Sequence, residues 1–210
     1  MKVSDFYTEV EYLYNLTSID NLTSILKYGI LSKNNLKRYG IKNSTDISDE
    51  KVQYERDKIN FSVRNVKNTE LHNYANVFFN PRNSMMSKIL NRKERRVDLN
   101  SICVICIDKE IIDLGTTFIT DKNAVIDDAM YMDPKEAFKV LDFNIIKKKY
   151  WDDYTKPFLS AEVLVAGCIY PEHFRKIKVG TVEALNRVKS LNLGIDVEID
   201  SYMFSLKKRD

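Results

Sequence analysis

The sequence predicts an α+β fold, and three observations carry that expectation. Strand-like and helix-like runs are mixed irregularly, without the strict strand–helix–strand order of a doubly wound sheet. Hydrophobic residues make up 44% of the 210, enough to build a sizeable core, which excludes a disordered chain. Neither an internal repeat nor a low-complexity tract occurs, so residues 1–210 read as a single domain.

The elements follow in order. Residues 12–16 read as a strand, and Thr17 to Asn21 then supply helix-start chemistry with Ser18 as N-cap. Ile19, Leu22, Ile25 and Leu26 share one helical face, and Gly29 gives the stop before a short strand at Ile30 and Leu31. Residues 32–69 are polar, rich in Asn and Lys and weakly periodic, which predicts a long loop with one short helix over residues 49–58. Residues 74–79 form a second apolar strand, 80–83 a turn and 84–90 a short amphipathic helix. A basic cluster follows at Arg92, Lys93, Arg95 and Arg96, then strands at 102–107 and 116–119 and a turn at Asp121-Lys122-Asn123. Residues 133–140 read as a helix with Pro134 in its first turn. Strands at 161–165 and 177–179, a helix at 181–190 and a strand at 195–199 complete the chain.

Composition removes several kinds of chemistry. The 33 basic and 30 acidic residues leave a charge of +3, so any nucleic-acid surface must come from local clustering. No apolar run approaches the roughly 20 residues of a membrane span, and the N-terminus turns acidic at Asp5 where a signal peptide would become apolar. The expectation is a cytoplasmic protein that does not enter a membrane. Three cysteines cannot all pair. Cys103 and Cys106 lie in an apolar β-branched run that reads as a buried strand and not as a zinc loop, so buried thiols and no metal site are expected. Six glycines occur, well under the ~7% average, and no Gly-x-Gly-x-x-Gly, P-loop, His-Glu-x-x-His or Gly-x-Ser-x-Gly is present. With two histidines, the expected reacting groups are carboxylate and arginine, acting on a substrate that is itself activated.

Five stretches, in order, carry a resemblance. Leu13-Tyr14-Asn15-Leu16-Thr17-Ser18-Ile19-Asp20-Asn21-Leu22-x-x-Ile25-Leu26-x-x-Gly29-Ile30-Leu31 resembles the opening of the DarT family of DNA ADP-ribosyltransferase toxins. Val52-Gln53-Tyr54-Glu55-Arg56 is similar to that family's arginine motif, and Leu71-His72-Asn73-Tyr74-Ala75 with Phe78 to Met86 is similar to its central signature. Thr120-Asp121-Lys122-Asn123-Ala124 resembles its following loop, and Ala161-Glu162-Val163-Leu164-Val165 its catalytic glutamate strand. The matches span roughly residues 10–180. One departure stands at Asn15, where most members have a histidine two residues before the threonine matched by Thr17. Asparagine keeps a donor and an acceptor but cannot titrate.

The resemblance implies a partly open, mixed or antiparallel β-core with flanking helices, of the ADP-ribosyltransferase type, binding NAD without a Rossmann fingerprint. It implies transfer of ADP-ribose from NAD to a base in single-stranded DNA, thymine first and guanine as the alternative, with a macrodomain antitoxin as partner. RNA modification on the same scaffold, or a nucleic-acid-binding module without turnover, are the competing readings. The implied catalytic residues are Glu162 and Arg56. Asn15, Thr17, Asn21, Gly29 and Phe78 would hold NAD, while Arg82, Met85 and Asn123 would meet the single strand.

Each residue also has a plainer reading. Strand alternation puts Glu162 opposite Ala161 and Val163 and beside Leu164, where a lone acid can simply face solvent. Against that stands the fact that breaking the nicotinamide bond builds positive charge on the ribose, which a fixed carboxylate stabilises. Arg56 could be a solvated helix residue paired with Glu55 or Asp57, Ser18 and Asn21 could be caps only, and Arg82 a surface arginine after a core strand. The basic cluster, with Lys88, reads either as a phosphate track or as a solvated face.

Overall fold

The structure, a computed structural model, describes residues 7–91, 97–148 and 152–205. The basic cluster of Arg92, Lys93, Arg95 and Arg96 therefore lies outside the described residues. In chain order the strands are β1 (Leu13–Ser18), β2 (Ile30–Leu31), β3 (Asn60–Val63), β4 (Val66–Glu70), β5 (Tyr74–Phe78), β6 (Ile102–Ile107), β7 (Thr117–Thr120), β8 (Tyr131–Met132), β9 (Glu162–Ala166), β10 (Cys168–Ile169), β11 (Phe174–Val179) and β12 (Val197–Ile199). The α-helices are α1 (Leu22–Tyr28), α2 (Lys33–Tyr39), α3 (Glu50–Arg56), α4 (Ser84–Asn91), α5 (Pro134–Val140), α6 (Phe143–Ile146) and α7 (Val182–Ser190). Ser32, Asp49, Asp133, Asp142 and Thr181 each cap the helix that follows, their side chains accepting first-turn N–H groups.

Eight strands form one sheet in the order β12-β11-β6-β1-β5-β9-β7-β8. Its pairings are antiparallel except for β11 with β12. All six residues of β6 are buried, as a strand covered on both faces requires. One face of the sheet packs Leu13, Val77, Ile105, Val163 and Ile177 into the larger core. The other packs Leu16, Val104 and Met86 into a second cluster, and Tyr74, Phe118 and Leu164 into a third. The expected alternation along residues 161–165 holds, because Ala161, Val163 and Val165 join the first core while Leu164 joins the third.

The α+β expectation is met, and the strands foreseen at 74–79, 102–107 and 161–165 agree with β5, β6 and β9 to within a residue or two. The stretch 32–69 differs from the expected long loop. Besides the foreseen helix α3 it holds α2 and the β3–β4 hairpin. Helix α2 buries none of its residues, so it has no apolar stripe to read. The hairpin turns through Arg64 at φ +53°, and Asn68 follows at +48°, without the glycine that normally marks such positions.

The sheet opens between its central strands. Strand β1 runs alongside β6 over six registered pairs, from Leu13 with Ile107 to Ser18 with Ile102. Against β5 it keeps only Tyr14 with Phe78. Beyond that pair the strands diverge, and a wedge forms between them.

Candidate active site

That wedge is the mouth of a cleft of about 530 Å³, within the size range of small-molecule sites. Asn15, Leu16 and Thr17 of β1 line one side, and Tyr74, Ala75 and Asn76 of β5 the other. The Asn15 side chain spans the gap, its Nδ2 donating to Asn76 O at 3.5 Å.

At the end of the cleft where β5 meets β9, Glu162 stands opposite Phe78. Glu162 is 1% exposed and Arg56 5%, so neither faces solvent. Arg56 Nη1 donates to Glu162 Oε2 at 2.9 Å and to Oε1 at 3.3 Å. The neighbours named as its plainer partners are engaged elsewhere, Glu55 with Lys58 and Asp57 with Lys33 and His72. A buried carboxylate survives only when charge and hydrogen bonds compensate its lost hydration. Both are present, since Oε1 also accepts the Ala124 backbone N–H at 3.1 Å.

The loop carrying Ala124 is held from several sides. Tyr131 Oη donates to Ala124 O at 2.6 Å, and burial, with the Glu162 charge adding to it, pushes this phenol up to about 12. Lys122 pairs with Asp128 at 2.9 Å, and Asp121 Oδ1 accepts the Met130 N–H. Thr120 Oγ1 accepts the Glu162 backbone N–H at 3.2 Å and donates to Lys122 O. The carboxylate is thus fixed from its own strand, from a loop and from a helix end.

The remaining sequence-predicted residues divide. Thr17, Asn21, Gly29, Phe78, Met85 and Asn123 line the same cleft as Asn15, Arg56 and Glu162. Asn21 has a further duty, its amide holding Thr45 through Nδ2 to O at 2.8 Å and N–H to Oδ1 at 3.1 Å, which fixes the loop over the cleft. Ser18 is a cap, accepting from Asp20 N–H. Arg82 is not brought to the cleft. It is buried, its Nη2 donates to Ser205 O at 2.7 Å, and its guanidinium sits 4.6 Å from the Tyr202 ring centroid. It is therefore not the surface arginine of the plainer reading, and it lies apart from the residues expected to share its role. Lys88, grouped with the basic cluster, pairs with Asp49 at 3.3 Å and so ties α4 to the start of α3 at the cleft.

Sequence reasoning did not single out the Ala124 N–H, Asn76 or His72 as site groups. The first is a backbone atom without a side-chain signature, although it falls inside the quoted Thr120 to Ala124 stretch. The cysteines are buried thiols, as expected. Burial pushes Cys106 up to about 12, and three residues apart on β6 it and Cys103 face opposite sides of the sheet, which does not suit a shared ligand role. Among the described residues no helix is long and apolar enough to cross a membrane.

Comparisons with known proteins bear on the family and the fold. The family described as "ssDNA thymidine ADP-ribosyltransferase, DarT" matches residues 14–205. A DNA ADP-ribosyl transferase-DNA ADP-ribosyl glycohydrolase fusion protein of Thermosipho africanus is 30% identical over 203 residues, covering 94% of this chain and 50% of its own length. The chain thus spans about half the length of that curated relative. The structure of Thermosipho africanus DarTG in complex with ADP-ribose superposes with a TM-score of 0.79 at 28% identity, covering 92% of this chain and 50% of that one. Thermus sp. 2.9 DarT in complex with ADP-ribosylated ssDNA gives 0.80 at 20% identity over 94% and 97% of the two chains. The same protein in complex with NAD+ gives 0.74 at 19% identity over 92% and 96%.

Proposed function

The chain belongs to the DarT family of ssDNA thymidine ADP-ribosyltransferases, and from that footing we propose that it transfers ADP-ribose from NAD+ to a thymine base of single-stranded DNA. The observation that carries this reading is the buried Arg56–Glu162 pair in the cleft between β1 and β5. NAD+ fits what the residues offer. The cleft has the volume, it presents amide and hydroxyl groups at Asn15, Thr17 and Asn76, and it ends on a carboxylate. Bound NAD+ supplies a ribose C1′ whose nicotinamide leaves as a neutral base.

The chain's own residues then do the rest. As the bond to nicotinamide breaks, positive charge grows at C1′, and the Glu162 carboxylate stabilises it without reorganising, because Ala124 N–H and Arg56 already hold it in place. A new bond forms from C1′ to the base nitrogen, and the imide proton that this nitrogen loses passes to Glu162. Arg56 keeps the carboxylate oriented, and its planar guanidinium has further donors for ligand oxygens. Asn123 and Met85 line the same cleft as Glu162, and the reading assigns them to the incoming base. A base inside a duplex could not reach this position, which supports a single-stranded acceptor.

The same reading takes residues 1–210 as one ADP-ribosyltransferase domain acting in the cytoplasm, with NAD+ consumed as co-substrate and no metal called upon. Support for a single domain comes from the match over residues 14–205 and from the one sheet that brings β1, β5 and β9 to the cleft. A toxin role with a macrodomain-type antitoxin that removes the mark is supported by the relative in which transferase and glycohydrolase are fused. Nicotinamide release by the purified chain, measured with and without a thymine-containing single-stranded oligonucleotide, tests the reading. Release that depends on the oligonucleotide is expected, and no release under either condition would contradict it.

A further inference from the structure

The cleft holds a second oriented pair that the Arg56–Glu162 chemistry leaves unused. His72, in the single turn between β4 and β5, lines the cleft and is 6% exposed. Its Nδ1 lies 2.8 Å from Asp57 Oδ1, and Asp57 in turn takes Lys33 Nζ at 3.3 Å. Its Nε2 is buried and, among the described residues, has no hydrogen-bond partner. Buried polar atoms are almost always paired in native folds, so an orphan nitrogen on a residue that lines a cleft points to a ligand group.

The ring's protonation decides what that group is. Burial first, then the charges of Lys33 and Arg56, lower the imidazole's pKa against the pull of Asp57, so the ring is neutral at pH 7. Desolvation works against Asp57, but Lys33 and His72 hold its carboxyl below the usual range and it stays ionised. An ionised carboxylate only accepts, so Nδ1 carries the ring's single proton and Nε2 presents a lone pair. Phosphate oxygens have no hydrogen to give it. Ribose hydroxyls and the amine or carboxamide N–H groups of a dinucleotide do.

Position separates this role from the chemistry. Phe78 lies opposite Glu162 at one end of β5, and Tyr74 is paired with Ala166 at the other, about 13 Å along the strand at its usual rise. His72 lies in the turn that precedes Tyr74 and is bonded to Asp57, not to the Arg56–Glu162 pair, so its role is to hold the ligand and not to take part in the transfer step.

Resting on the reading of this cleft as the NAD+ site, we propose that His72 is an NAD+-positioning residue whose Nε2 accepts a hydrogen bond from an O–H or N–H of the dinucleotide. Its contribution is to binding shared by ground state and transition state, which moves KM and leaves kcat.

The experiment measures NAD+ binding by calorimetry, and KM and kcat for oligonucleotide modification, on the whole chain and on His72→Phe and His72→Gln. For His72→Phe, NAD+ affinity falls and KM rises by roughly 3–10-fold, as the loss of one hydrogen bond predicts, with kcat unchanged. His72→Gln, which keeps an acceptor, recovers part of the loss. The unsubstituted chain also loses NAD+ affinity as pH falls below the ordinary imidazole value of 6.5, where Nε2 gains a proton, while His72→Gln does not. Lys33, Arg56 and Asp57 are the charged groups that act on the ring. Unchanged affinity and KM in both variants, or a fall in kcat in place of a rise in KM, overturns the inference. If His72→Phe does not fold, His72→Gln and the pH profile still decide. No NAD+ binding by the unsubstituted chain would overturn the proposed function as well, and that arm alone tells the two failures apart.

Discussion

Arg56 Nη1 contacts both carboxylate oxygens of Glu162, across 106 residues of sequence and almost wholly out of water. The pair joins the C-terminal end of α3 to the first residue of β9, so it both closes the fold at this point and sets the charge at the end of the cleft. Its two duties can be separated experimentally.

Glu162→Gln keeps an oxygen for the Ala124 N–H but removes the negative charge. Transfer to single-stranded DNA should fall by roughly 10²–10³-fold or more, the scale seen when one preorganised electrostatic group is lost. Glu162→Ala should lose transfer too, and in addition destabilise the fold by about 3–5 kcal/mol, because Arg56 is left buried without a counter-charge. Thermal melts of both variants beside their turnover check this. Wild-type turnover by either one would remove Glu162 from the mechanism.

Arg56→Lys retains a charge but offers a single compact ammonium in place of the planar fork. In the structure one guanidinium nitrogen meets Glu162, so a lysine can preserve much of the folding role. The melting temperature should therefore stay closer to wild type than in Arg56→Ala, while transfer remains strongly reduced in both. Full activity in Arg56→Lys would mean that the site uses a point charge.

Asn15 stands where the resemblance leads one to expect histidine, and its amide bridges the wedge to Asn76 O at the long end of hydrogen-bonding distance. Asn15→Ala should raise KM for NAD+, corresponding to about 1–3 kcal/mol for ligand groups left unpaired. Asn15→His should be tolerated with the modified base unchanged. Kinetics with varied NAD+ and identification of the modified base together test this, and an unaltered KM in Asn15→Ala would mean that the position does not contact the dinucleotide.

Gly29 ends α1 with φ +88°, and a Cβ there would lie 2.5 Å from Cys168 Sγ and 2.6 Å from Ile169 O. The second contact is backbone and cannot swing aside. Gly29→Ala should lower stability by about 1–3 kcal/mol through strain alone, and more through the displaced β2–β10 pairing. A melting temperature equal to wild type would show that this junction yields.

What could be read beforehand follows from where each signal lives. The apolar runs of β5, β6 and β9 are buried on both faces and announce themselves by composition. Helix α2 and the β3–β4 hairpin do not, since one buries no residue and the other turns without glycine. Glu162 and Arg56 were reachable because ordered motifs single them out, whereas periodicity left each with a solvent-facing alternative that only tertiary burial removes. Nothing local distinguishes His72 from a core histidine. Its orphan Nε2 exists only once Asp57 occupies the other ring nitrogen and β1 and β5 have parted. Arg82 shows the converse, a residue whose motif pointed outward but whose guanidinium the C-terminal residues Tyr202 and Ser205 cover.

The most direct measurement is the mass of short single-stranded oligonucleotides after incubation with the purified chain and NAD+, run in parallel on thymine-only and guanine-only DNA and on uracil-only RNA, with Glu162→Gln as the control. The account predicts a gain of one ADP-ribose on the thymine DNA, abolished in Glu162→Gln. No adduct on any DNA, or an adduct that persists in Glu162→Gln, would contradict it.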